Sequence, residues 1–170
     1  MESLPISITR AEIWLCITTL LYFLMNGAQI FETLVFVPKW ASSPPDTFKL
    51  LQDGKGASLK FFWIILHSLH EIAFILAIIF CWKIDPVRNW LLVLFIIHAA
   101  VRVWTLAFFA PNIIQFQNLA ASSSISEEIL SRISLWKTLN YIRVAIYIVV
   151  SIGLIPLCIK LFSFRNLNLF

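Results

Sequence analysis

Apolar residues fill four unbroken stretches of the chain: Ile13 to Phe36, Phe61 to Trp82, Trp90 to Phe109 and Tyr141 to Phe162. Each holds roughly the 20 residues that a helix needs to cross about 30 Å of hydrocarbon. The runs are continuous, so helices are predicted rather than the short alternating strands of a membrane barrel. Lipid reinforces this, because each spanning segment must satisfy its own backbone. The predicted fold is an all-α membrane protein, a four-helix transmembrane bundle running up-down-up-down, with residues 1–170 as one integral domain. A short amphipathic helix is expected before the fourth span. Ser122-Ser123-Ser124 and then Ser126-Glu127-Glu128 form a helix start. Ile129, Leu130, Ile133 and Trp136 then recur at helical spacing, while Arg132 and Lys137 lie on other faces. This helix can run on into the fourth span, where Pro156 should bend it.

Composition excludes the alternatives. Apolar residues make up 60% of the 170 and charged residues 13%, with a mean hydropathy of +0.88. A soluble chain of this length has too large a surface to hide so much apolar area. An ordinary cytosolic domain, a disordered chain and a nucleic-acid module are therefore ruled out, and the net charge of +4 does not argue for nucleic acid. All seven Trp lie at or near run ends: Trp14, Trp82 and Trp90 on one side, Trp40, Trp63, Trp104 and Trp136 on the other. This is where indoles meet headgroups.

Four spans put both termini on one side, with the short loop Lys83–Asn89. That side holds Arg10, Lys83, Arg88, Lys160 and Arg165 close to span ends, whereas the other side spreads its cations through two long loops, 37–60 and 110–140. Short basic flanks mark the cytoplasmic side, so the termini are expected in the cytoplasm and the protein in the cell membrane. The first run is too long for a signal h-region and lacks a small-x-small cleavage site, so it is expected to be retained. Cys16, Cys81 and Cys158 all fall near ends on the terminal side, read as small apolar packers or reduced thiols rather than a disulfide framework.

In the first long loop, the prolines after Val37 are expected to stop the first helix. Asp46 is expected to cap a short turn from Thr47 to Gln52, with Phe48, Leu50 and Leu51 dipping toward the membrane. Gly54-Lys55-Gly56 ends it as a turn without phosphate-loop spacing.

Ionisable groups inside spans are costly and mark candidate sites. The first span holds Asn26, Gln29 and Glu32, the second His67, His70 and Glu71, the third His98 and Arg102, and the fourth Asn140 and Arg143 near its start. At 1.5 Å per residue all lie roughly 5–18 Å from the long-loop side. His67, His70 and Glu71 share one stripe, as do His98 and Arg102. A common polar pocket is predicted, open toward the long loops. Glu71 is expected to pair with Arg102, and Glu32 with Arg143, which limits desolvation. His67, His70 and Glu71 are the acid–base candidates. Asn26, Gln29, Glu32, His98, Arg102, Asn140 and Arg143 are the ligand-binding candidates. Any single Asn or Gln also serves as interhelical glue. No cofactor is expected. The alternatives weighed are a metal on His67, His70 and His98, completed by Glu32 or Glu71, and a haem between His70 and His98; Arg102 opposes a cation, and no second haem pair exists.

Asn26-Gly27-Ala28-Gln29-Ile30-Phe31-Glu32 with Val37-Pro38-Lys39-Trp40 resembles the first-span signature of a family of small four-span membrane proteins of unknown function that includes the fungal anthrone oxygenases. Trp136-Lys137-Thr138-Leu139-Asn140-Tyr141-Ile142-Arg143 is similar to that family's Trp-x-x-x-Asn-x-x-Arg pattern. The resemblance implies a four-helix membrane bundle. For the oxygenase members it implies oxygenation of activated anthrones without metal or flavin, through a base and a cation or donor for the enolate, such as Arg102 or Asn26. The matching positions are Asn140, Arg143 and the stretch from Asn26 to Glu32; the His67-x-x-His70-Glu71 cluster is outside the pattern. The expected function is binding of a small lipophilic molecule in a membrane-embedded polar pocket. The alternatives are cofactor-independent oxidoreductase chemistry and an accessory subunit of a membrane complex. Expected partners are membrane lipid, a small lipophilic ligand and further copies of the chain, but not nucleic acid.

Overall fold

A computed structural model describes residues 4–52, 59–119 and 125–167. The Gly54-Lys55-Gly56 turn and Ser122-Ser123-Ser124 lie outside the described residues. The described chain is helical throughout. Helix α1 is Leu4–Phe31, followed by a π-helical turn Glu32–Phe36, α2 Val37–Trp40 and a 3-10 turn Asp46–Leu51. Then come α3 Lys60–Phe80, α4 Asp85–Trp104, a second π-helical turn Thr105–Phe109, α5 Ala110–Leu119 and α6 Glu127–Leu167. Among the described residues four stretches are long and apolar enough to cross a membrane: Ile8–Trp40, Lys60–Phe80, Asp85–Leu119 and Glu127–Arg165. Three of them exceed the predicted spans. The 33 residues of the first rise about 50 Å, so much of the two expected long loops is helix.

The two π-turns explain why the first and third helices run past their prolines. Each turn ends one residue before an X-Pro pair, Val37-Pro38 and Ala110-Pro111. A proline ring clashes with the carbonyl four residues back in an α-helix. Widening the turn by one residue relieves this: the Val37 amide donates to the Glu32 carbonyl and the Ala110 amide to the Thr105 carbonyl, five residues back in each case. Pro38 therefore does not end the first helix, which runs on to Trp40 and stops before Pro44-Pro45. Pro156 likewise lies inside an uninterrupted α6.

The chain packs as two compact units. The first comprises residues 1–26, 64–99 and 147–170. Its helix segments alternate in direction. Along α1 and α6, Glu12 meets Arg165 at 2.8 Å, Thr19 meets Cys158 at 3.3 Å and Asn26 meets the Tyr147 carbonyl at 3.0 Å. Partner numbers rise in one helix as they fall in the other, so the pair is antiparallel. The same holds for α1 with α3 (Trp14 with Phe80, Tyr22 with His70) and for α3 with α4 (Phe74 with Phe95, His70 with His98). Tyr22, Asn26, His67, His70, His98, Tyr147 and Ser151 are buried, whereas Leu20, Ile72, Ile96 and Ile152 are exposed. Polar side chains are thus buried among apolar ones while the outside is apolar, the arrangement that a hydrocarbon solvent selects.

Gly153 lets α6 approach α4. A Cβ there would stand 3.0 Å from a Leu94 methyl carbon. Gly153→Leu is expected to destabilise the protein by about 1–3 kcal/mol through overpacking, read as a lower unfolding midpoint in detergent.

The second unit comprises residues 27–63 and 100–146. Its core is Val37, Trp40, Phe48, Leu51, Phe109, Phe116, Ile133 and Trp136. Trp40 is 1% and Trp136 3% exposed, with ring centroids 5.3 Å apart. Two of the indoles assigned to the headgroup level are thus core residues, because the helices continue far enough for their ends to pack on one another. Phe48 and Leu51 enter this core rather than dipping toward lipid. The turn carrying them begins at Asp46 with no side-chain cap at Pro45; instead the Thr47 hydroxyl donates to the Trp40 carbonyl at 2.7 Å. The amphipathic helix is the first part of α6, capped by Ser126, whose Oγ accepts from the Ile129 amide at 3.4 Å. Its apolar face, through Ile133 and Trp136, packs on the aromatic core, and Arg132 donates to Gln115 at 2.7 Å.

Candidate functional site

The ten predicted site residues separate into two sets. Asn26, His67, His70, Glu71 and His98 belong to the first unit; Gln29, Glu32, Arg102, Asn140 and Arg143 belong to the second.

In the first unit four helices each contribute a ring to one cluster. Tyr22 comes from α1, His70 from α3, His98 from α4 and Tyr147 from α6. The Tyr22 ring lies 4.4 Å from that of His70, 5.6 Å from that of His98 and 6.0 Å from that of Tyr147, and the two imidazoles are 4.8 Å apart. Phe74 closes the cluster one turn along α3, 5.6 Å from His70. Asn26 ties α1 to α6, its amide donating to the Tyr147 carbonyl at 3.0 Å and to the Ser151 hydroxyl. His67 is buried one turn before His70.

His98 is the pivot. Its Nδ1 is 3.0 Å from the Tyr22 hydroxyl and its Nε2 3.9 Å from a Glu71 carboxylate oxygen. If the phenol donates to Nδ1, the neutral ring carries its proton on Nε2, facing the carboxylate. The His98 side chain is 1% exposed and that of Glu71 41%. A carboxylate near the surface thus stands 3.9 Å, beyond hydrogen-bond distance, from an imidazole that is itself hydrogen-bonded to a fully buried phenol. Arg102, the expected partner of Glu71, belongs to the second unit; within its own unit the carboxylate's neighbour is His98. Among the described residues no three His, Cys, Asp or Glu side chains are arranged to hold a metal ion.

In the second unit α6 holds both π-turns. Asn140 donates to the Thr33 hydroxyl at 2.9 Å, in the first turn. Trp136 Nε1 donates at 3.2 Å to the carbonyl of Phe109, the last residue of the second. The Arg143 guanidinium donates to Asn140 Oδ1 at 2.6 Å and lies 4.2 Å from the centre of the Phe109 ring. Glu32, expected to pair with Arg143, belongs to the same unit as Arg143. Gln29 is buried one turn before Thr33, and its Oε1 accepts no hydrogen bond among the described residues. Arg102 is half-buried.

Tyr22, Thr33, Phe109, Tyr147 and Ser151 were not among the predicted residues. Spacing held a signal for three of them: Tyr22 is four residues before Asn26, and Tyr147 and Ser151 continue the stripe of Asn140 and Arg143. Thr33 and Phe109 carried no comparable signal. No family model, no curated protein and no solved structure matches the chain.

Proposed function

We propose that the protein binds a small lipophilic molecule within the membrane and exchanges a proton with it through Glu71, His98 and Tyr22. The observation that carries this reading is the placement of Glu71. It stands near the midpoint of Lys60–Phe80, a helix of spanning length, and is 41% exposed beside a buried histidine. A carboxylate at that depth costs about 2.5–3.5 kcal/mol on insertion scales, a cost expected where the group is used. The imidazole behind it can pass a proton between carboxylate and phenol without leaving its place. A ligand with an acidic hydroxyl or activated C–H, approaching through lipid, would meet Glu71 first. The same reading puts the protein in the cell membrane with both termini cytoplasmic, from the basic flanks at Arg10, Lys83, Arg88, Lys160 and Arg165.

The test is native mass spectrometry of the protein purified in a mild detergent, with 1,8-dihydroxyanthrone as the probe. One probe per chain is expected. Glu71→Gln and His98→Ala should each weaken binding about 10- to 100-fold, the worth of one charged hydrogen bond. Equal affinity in the wild type and both variants would overturn the reading.

A second reading, oxygenation of an anthrone, rests on the resemblance at Asn26–Glu32, Asn140 and Arg143, with His67, His70 and Glu71 as base candidates. It predicts oxygen uptake with the same probe. Unchanged uptake in both His70→Ala and Glu71→Gln would remove His70 and Glu71 as its bases.

A further inference from the structure

The short connection between α3 and α4 holds one arginine in place. Its backbone closes in successive turns: the Ile84 amide donates to the Cys81 carbonyl, and the Val87 and Arg88 amides donate to the Ile84 carbonyl, each at 2.9 Å. Cys81 and Val87 are fully buried and anchor it in the first unit. Arg88 is then gripped along its whole head. Its Nε donates to Asn89 Oδ1 at 3.1 Å. Its Nη1 donates to the Trp82 carbonyl at 3.0 Å and stands 2.9 Å from an Asp85 carboxylate oxygen. Its Cζ lies 5.4 Å from the centre of the Trp82 ring. A guanidinium has five N–H donors, and the two on Nη2 make no hydrogen bond among the described residues. The exposed Lys83 ammonium likewise makes none among them. Trp82 and Trp90, 54% and 61% exposed, bracket these two cations in the chain.

We propose that this connection binds the phosphodiester of an anionic phospholipid, with Arg88 Nη2 and Lys83 on the phosphate oxygens and the Trp82 and Trp90 indoles against the rest of the lipid. A guanidinium suits phosphate oxygens in shape and charge. The contacts that fix Arg88 lower the entropy cost of using it. Indoles favour the headgroup level, so exposed Trp on both sides puts the two cations at the depth of lipid phosphates. The charge around the site selects an anionic headgroup. Trp14 stacks with Phe80 and Glu12 pairs with Arg165, so the start of α1 and the end of α6 lie at the same end of the first unit as this connection. Among the described residues that end carries Arg10, Lys83, Arg88, Lys160 and Arg165 against Glu12 and Asp85, and both acids are already paired with arginines. A zwitterionic headgroup would bring a further cation into this positive field, whereas an anionic one would not. The proposal is independent of the lipophile-binding reading and uses none of its residues.

The experiment incubates the detergent-purified protein with equal amounts of phosphatidylglycerol and phosphatidylcholine of matched acyl chains and counts the bound lipids by native mass spectrometry. Phosphatidylglycerol adducts are expected to prevail about 25-fold, from about 5-fold for each of the two basic residues. Lys83→Gln and Arg88→Gln should each lower this preference about 5-fold. Lys49→Gln, at an exposed lysine of the second unit, should leave it unchanged. Arg88→Lys keeps the charge but loses the planar fork, so its preference should fall between those of the wild type and Arg88→Gln. Lys83→Gln decides the matter even where Arg88→Gln fails to fold, because the Lys83 side chain is exposed and makes no hydrogen bond among the described residues. Equal binding of the two lipids by the wild type, or a preference untouched by Lys83→Gln, would overturn the proposal. An excess of inorganic phosphate should not displace the lipid; displacement would overturn the assignment of a phospholipid as the occupant.

Discussion

Trp136→Ala is expected to lower stability by about 3–5 kcal/mol, the range for removing a large buried aromatic side chain. Trp136 stacks edge-on against Trp40 at 5.3 Å and against Phe109 at 5.5 Å, so its removal opens the aromatic core from both sides. It also supplies the indole proton to the Phe109 carbonyl, 3.2 Å away, at the end of a π-turn. Trp136→Phe keeps much of the packing and loses that bond, so about 1–2 kcal/mol is expected. Trp82→Ala and Trp90→Ala, at exposed positions, should cost no more than about 0.5 kcal/mol. Chemical unfolding in detergent, followed by the remaining Trp fluorescence, ranks the four variants. Equal losses at Trp136 and Trp82 would show that Trp136 is not a core residue.

The second large effect is expected at Arg143. It is 8% exposed, donates to Asn140 Oδ1 at 2.6 Å and sits over the Phe109 ring. Arg143→Leu deprives Asn140 of a donor and Glu32 of its expected partner. Losing a buried hydrogen bond to a charged group costs about 1.5–3 kcal/mol. Arg143→Lys restores a charge but not the planar fork that serves ring and amide together, so it should recover about half of the loss. Glu32→Gln in the Arg143→Leu background should be cheaper than Glu32→Gln alone, with a coupling of about 1 kcal/mol or more. A coupling of zero by unfolding in detergent would separate the two residues energetically.

These two residues also show where the sequence was legible and where it was not. Trp136, Asn140 and Arg143 were singled out by their pattern, and all three are buried and hydrogen-bonded. The bonds of Trp136 and Asn140 go to the two π-turns, however, and no local pattern indicated those. The stripe of His67, His70 and Glu71 was readable because residues three and four apart share a helix face. That Glu71 would lie beside His98, and that Tyr22 would complete the link, depended on which helices pack together. Trp40 was misplaced for the same reason: an indole near a span end looks the same from sequence whether it meets headgroups or another indole.

The sequence by itself determined the helices, their capacity to cross a membrane and the polar stripes they carry. These follow from hydropathy and periodicity, which each segment expresses on its own. The tertiary structure decided that Trp40 and Trp136 form a core, that His98 stands between a carboxylate and a phenol, and that Thr19 and Cys158 meet. Each of these joins residues distant in the chain, and their meeting is set by the packing of whole helices rather than by any property of the local sequence.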